Sequence, residues 1–271
     1  MTVNVFSFDL AVPDDFSALK GAIEAAGATT IRKLALLVKA GGEYTDGSRE
    51  RAKAAVSQLL DKYDLSARTE MVTVVGCEGA STPCGFAFIE DDAASADGPA
   101  RLAFGLARAL PPDESEFDKP MFADKVAAVV KKAMDDARLH PSEVVVVIVN
   151  VPQPTTGDIR VRGRKARAVA ALGAGIPLGE IKRAEITDES IVDRGDLYTR
   201  RVQTFIGPTI QNIEVIVIGN RAGAGGELIS CATVTGDLLD VRSLKRMLVG
   251  AGMELDADGD WPIRVELWQP F

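Results

Sequence analysis

The sequence predicts an α/β protein written as tandem βαβαββ units, two complete and one partial. Three observations carry this prediction. A helix-then-strand pattern recurs along the 271 residues; strands alternate with helices; and hydrophobic (46%) and charged (26%) residues stand near ordinary globular proportions. The units fall at 1–97, 98–238 and 239–271.

In the first unit, "VNVFSFDL" reads as a strand. Phe16, Leu19, Ile23 and Ala26 then recur at helical spacing, and Leu34 to Val38 form a strand ending at Lys39. "SRERAKAAVSQLLDKY" is the next helix. "MVTVVGCEGASTPCGFAFIED" is a β run, a glycine-rich loop and a second β run closing at aspartate. "EDDAASADGPA" at 90–100 is small, acidic and glycine/proline-bearing, as linkers are.

The second unit repeats the order. "RLAFGLARAL" is the strand, Val126, Val129, Val130 and Met134 mark the helix, and Val144 to Val149 lead to Asn150. "RKARAVAALGAG" is the second helix, a polar insertion occupies 180–200, and "EVIVIGNRAGAGGELISCATVTGD" is read as the closing pair of β runs. A third start spans 240–269, with a helix over 240–252 through Leu244, Met247 and Leu248 and a strand over 262–268. The break after it predicts an open side at Trp268 and Phe271 that a partner covers.

Composition excludes several function classes. A formal net charge of −8 opposes phosphate backbones and anionic membranes, so no nucleic acid and no membrane partner is expected. No apolar run approaches the roughly 20 residues that span a bilayer, and residues 1–12 lack a signal peptide's basic start, which predicts cytoplasmic residence. Cys77, Cys84 and Cys231 lack CxxC spacing and His140 is the sole histidine, which opposes a zinc site and histidine-based catalysis; no cofactor is expected, and the sequence names no metal. His140, in "ARLHPSEV" before proline, reads as a capping or solvent-facing residue. "GNRAGAGGE" lacks both the Lys-Ser end of a phosphate loop and a following helix.

The order of strand, Lys39, "GGEYTDGSRERA", strand and "GCEGASTP", followed in the second unit by "RKARAVAALGAGIPLGEIKRAEITDESIV" and "VIVIGNRAGAGGELI", resembles the cyanuric acid hydrolase and barbiturase family of ring-opening cyclic amide hydrolases. The resemblance implies units packed about a pseudo-threefold axis, with the substrate ring at its centre. Each unit of that family offers a lysine ending a strand, an arginine on the next helix and a nucleophilic serine before glycines. The lysine serves to activate the serine.

Carried over residue by residue, the lysine is Lys39 and the arginines are Arg49 and Arg167, suited to gripping ring carbonyls or carboxylates. Asn150 and Gln269 stand at the other two lysine positions, where they can hydrogen-bond but not act as amine bases. Val74 and Phe205 fall at the serine positions. Gly76, Cys77, Glu78 and Gly79 keep part of the first loop and Gly207 part of the second, preserving backbone donors for a substrate.

Ser81 and Thr82 share the first loop and stand within reach of Lys39 after folding, which makes Ser81 the alternative nucleophile; loop capping is its other reading. Cys77, beside Glu78, reads as structural, because a neighbouring carboxylate raises a thiol pKa.

Three functions remain open at this point. The first is a cyclic amide hydrolase completed by a second subunit or by self-association. The second is a binding protein for a small cyclic amide or carboxylated ligand. The third is a lyase or isomerase with Lys39 as base.

Overall fold

The fold is described from a computed structural model covering residues 1–39, 47–74, 83–92, 98–193, 195–208, 210–232 and 240–252; side chains at 72–74 and 192–193 are left out. In the first unit, the chain runs β1 (Thr2–Asp9), α1 (Ser17–Ala26), β2 (Ile31–Lys39), α2 (Ser48–Lys62), β3 (Thr69–Val74) and β4 (Cys84–Asp91). The second runs β5 (Arg101–Ala109), α3 (Pro120–Ala137), β6 (Val144–Pro152), α4 (Ile159–Gly175), a short α5 (Ser190–Asp193), β7 (Val202–Gly207) and β8 (Ile213–Arg221). Helix α6 (Val241–Gly250) follows.

Each unit folds its strands into one four-stranded sheet, in the orders β1-β4-β2-β3 and β5-β8-β6-β7. The orders are equivalent, and so is the pairing. In both, the last strand runs antiparallel between the first and second, and the third is a parallel edge strand.

Alternation along the strands divides their side chains between two faces. Leu34, Leu36 and Val38 of β2 pack under α1 and α2 with Leu19, Ile23 and Val56. In the second unit, Val147, Val149 and Val215 pack under α3 and α4 with Val126, Val130 and Ala170. The opposite faces meet each other: Val3, Ala35, Leu37 and Phe86 pack against Leu102, Phe104, Ile148 and Ile216. The result is four layers, helix, sheet, sheet and helix, whose middle seam is an apolar core shared by both units.

Two expectations change. The strand "EVIVIGNR" is the closing strand of its unit, not the first of a closing pair. Its predecessor is β7, "VQTFIG", which the sequence reading missed. β7 escapes notice because it is short and on an edge, with five of six residues half-buried, whereas β8 is a solid apolar run. Residues 226–232 form no strand; the rest of that expected run, at 233–237, lies outside the described residues, as do the linker core 93–97 and the strand expected at 262–268. Helix α4 also begins earlier than the arginine-rich segment suggests, at Ile159, because the Asp158 side chain accepts hydrogen bonds from the Arg160 and Val161 amides and caps it. His140 caps as expected, accepting from the Ser142 amide at the start of a single 3-10 turn.

Candidate active site

The register places the expected lysine and serine positions as equivalents. In the first sheet, Asp9, Cys84, Lys39 and Val74 form one cross-strand row. Its counterpart in the second is Arg108, Glu214, Asn150 and Phe205. Asn150 is therefore the positional partner of Lys39, and Phe205 of Val74. Both rows lie at the polar end of the seam between the sheets, because Lys39 continues the face of Ala35 and Leu37, and Asn150 that of Val146 and Ile148.

Strand β3 crosses the second sheet there instead of running along one strand. Glu70 meets Arg108 of β5 at 3.0 Å, while the carbonyl of Met71, the next residue, accepts from Asn150 Nδ2 of β6 at 3.4 Å. Asn150 Nδ2 also donates to Glu214 Oε2 at 3.1 Å. Lys39 and Asn150 are 6% and 2% exposed, so both polar groups sit in low-dielectric surroundings.

Arg49, 8% exposed, reaches the second unit: a Cβ added to Gly207 would lie 2.5 Å from its Nη1, so the guanidinium rests on the bare backbone at the end of β7. Only a residue without a side chain permits that approach. Nearby Lys53 on α2 has its pKa lowered, first by burial and then by Arg49, with Glu214 opposing.

Glu70 is the most perturbed carboxyl at this end, pushed up to about 7. Burial is the main cause; Glu214 adds to it, and Arg108 offsets part. Glu70, Glu214, Arg108 and Lys53 escaped the sequence reading. The only available signal was polar residues at inward positions of otherwise apolar strands, visible for Glu70 and Glu214 once the strand boundaries are known.

The structure thus gathers Lys39, Arg49, Asn150 and Gly207 at the polar end of the seam. Arg167 it leaves apart, on the exposed face of α4, making no hydrogen bond or ion pair among the described residues. Gly76, Cys77, Glu78 and Ser81 lie outside the described residues, as does Gln269. Among the described residues no group of three or more His, Cys, Asp or Glu side chains is placed to hold a metal ion, and no helix is long and apolar enough to cross a membrane.

A lysine, an arginine and a carboxamide, all buried, thus lie together at the strand ends. Residues 4–262 match the model of the amidohydrolase ring-opening proteins. The chain belongs to that family. It is 28% identical to a cyanuric acid amidohydrolase of Rhizobium leguminosarum bv. trifolii over 91% of this chain and 74% of that protein. With a cyclic amide hydrolase of a Rhodococcus species it shares 25% identity over 94% and 77% of the two chains. The crystal structure of a cyanuric acid hydrolase from A. caulinodans superposes with a TM-score of 0.82 at 27% identity, covering 94% of this chain and 78% of that one. A second cyanuric acid hydrolase structure, described as an innovation by structural concatenation, gives 0.83 at 25% identity, covering 94% and 77%. The two matched sheets described above agree with that architecture.

Proposed function

We propose that this family member binds a small cyclic amide or imide at the polar end of the inter-sheet seam, with the family's serine replaced. Lys39, Arg49 and Asn150 are the polar contacts, and the backbone beside Gly207 lines the ring. The observation that carries this reading is the equivalence of the two rows. Val74 pairs with Lys39 and Phe205 with Asn150, and at neither serine position does a hydroxyl exist for a lysine to activate. The arrangement therefore grips carbonyl oxygens through Arg49 and Lys39 without a covalent step at these positions.

Titration of the purified chain with a panel of cyclic imides, followed by melting temperature, tests the binding. A ligand at a hundred times its dissociation constant stabilises the native state by about 2.7 kcal/mol, a shift of several degrees. No shift across the panel rejects the reading. Ring opening of any panel member by the chain alone, abolished by Ser81→Ala, would instead restore the hydrolase reading with Ser81 as nucleophile.

One feature supports a second reading, a hydrolase assembled from subunits. Arg49 is covered by the neighbouring unit at Gly207, whereas Arg167 stands exposed on the corresponding helix of the second unit. In this reading a further copy or a second protein covers Arg167 and brings a serine. Molar mass in solution, and ring-opening activity that rises with protein concentration, are its expected signs; a monomer inactive at every concentration excludes self-completion.

A further inference from the structure

The polar end of the seam contains a buried oxygen that nothing among the described residues uses. Asn150 donates both to Glu214 and to the Met71 carbonyl, yet its Oδ1, equally enclosed, has no hydrogen-bond partner among them. Chemistry fixes which end of the carboxamide faces which way. A carboxylate and a peptide carbonyl only accept, so the nitrogen must face both and the oxygen must point elsewhere. Buried amide oxygens are rarely left without a donor, because the hydration they lose is not repaid. The fold does not demand an amide here, since the preceding residues on this face, Val146 and Ile148, are apolar and the first sheet carries a lysine at the equivalent place.

We propose that Glu214 and the Met71 carbonyl hold Asn150 so that its Oδ1 accepts a ring N–H, making the site selective for cyclic imides with a free N–H over N-alkylated ones. This rests on the cyclic-amide reading above and adds the direction of one hydrogen bond. Asn150 touches the ligand; Glu214 acts only through Asn150 and is a positioning residue. Arg108 beside Glu214 in the cross-strand row, Glu70 opposite and Lys53 on α2 are among the charged groups that face that carboxylate.

A ligand reaches the enclosed oxygen from the β7 side. That strand is a sheet edge whose one strand partner among the described residues is β6, and five of its six residues are half-buried. Phe205 is the residue beside Asn150 in register and packs on the same seam.

Calorimetric titration with glutarimide and N-methylglutarimide tests the proposal. The two share shape and carbonyls and differ at the one donor. Wild-type protein is expected to bind glutarimide at least tenfold more tightly, and Asn150→Leu to erase that ratio. Glu214→Gln should shrink it, because a glutamine can donate to Asn150 Oδ1 and consume the acceptor, while the melting temperature changes little. Equal affinity of wild type for both imides overturns the assignment of Asn150 but leaves the binding reading standing. Binding of neither overturns the binding reading itself. An undiminished ratio in Glu214→Gln removes the positioning role. The wild-type ratio decides even where a variant fails to fold, and Asn150→Ser serves as a second, smaller substitution.

Discussion

The two units share a strand order but secure their second helices differently. In the second unit the start of α4 is fixed from within: Asp158 caps it, and Arg162 binds Glu114 at 2.7 Å, Asp118 at 3.3 Å and the Thr156 carbonyl at 2.9 Å. The start of α2 in the first unit has no side-chain cap, and its Ncap is Gly47 at a φ of 74°. Its anchor is Arg49, which lies on the other unit. The helix that carries Arg49 thus leans on the neighbouring unit, and its counterpart is held from within its own unit.

Packing differs in the same sense. Strand β5 approaches α3 so closely that a Cβ on Gly105 would fall 1.9 Å from the Ala133 carbonyl oxygen. Among the described glycines of the first unit the tightest such place is Gly85, where the obstacle is the Phe8 ring, 2.2 Å away. A backbone atom in a helix cannot turn aside as a ring can, so Gly105→Ala should cost the most, about 3 kcal/mol, and Gly85→Ala less. Urea unfolding of both variants measures the difference; equal losses would remove the contrast in packing.

Glu70 gives the next effect, and it depends on pH. Its folded pKa is raised to about 7 from 4.5, so between these values the native state holds a proton that the unfolded chain has released. Stability from this group is complete below about pH 4.5 and is lost as pH rises through 7, by on the order of 2–3 kcal/mol. Glu70→Gln should flatten that fall, so that the variant gains on wild type at pH 8 relative to pH 5 in paired melts. A steeper fall in the variant would mean that the Arg108 pair outweighs desolvation.

Gly207→Val sharpens the comparison at the site. The added carbons displace the Arg49 guanidinium, which should cost about 1–2 kcal/mol of stability and at least tenfold in imide affinity. If affinity is unchanged, Arg49 does not face the ligand. Smallest is Asp158→Ala, expected to lose about 1 kcal/mol with imide affinity intact, because that cap serves only the second unit.

Much of this architecture was legible in the sequence because apolar periodicity is a direct record of burial. Leu19 and Ile23 mark α1, Val126 and Val130 mark α3, and the ends of β2 and β6 fall at or near Lys39 and Asn150. Edge strand β7 was not legible, since its half-buried residues leave no strong alternation and β8 beside it reads as the dominant run. The candidate site divides in the same way. Lys39, Arg49 and Asn150 followed from the family pattern, whereas Glu70, Glu214 and Arg108 come together only because β3 crosses the strands of the other sheet. No local pattern encodes that crossing. Arg167 shows the converse, a motif residue that the described fold leaves on the surface.

At the end of the seam away from the site, Lys33 lies 2.9 Å from Asp136 and 3.5 Å from Glu90, with the Phe104 ring 5.0 Å from its ammonium. Lys33 and Glu90 belong to the first unit, Asp136 and Phe104 to the second. Cutting the gene between the two sheets would strand a nearly enclosed ammonium without one of its carboxylates and bare the apolar layer beside it. The units read as modules in sequence, but neither is a module in the sense a protein engineer needs: they can be shuffled only as a pair.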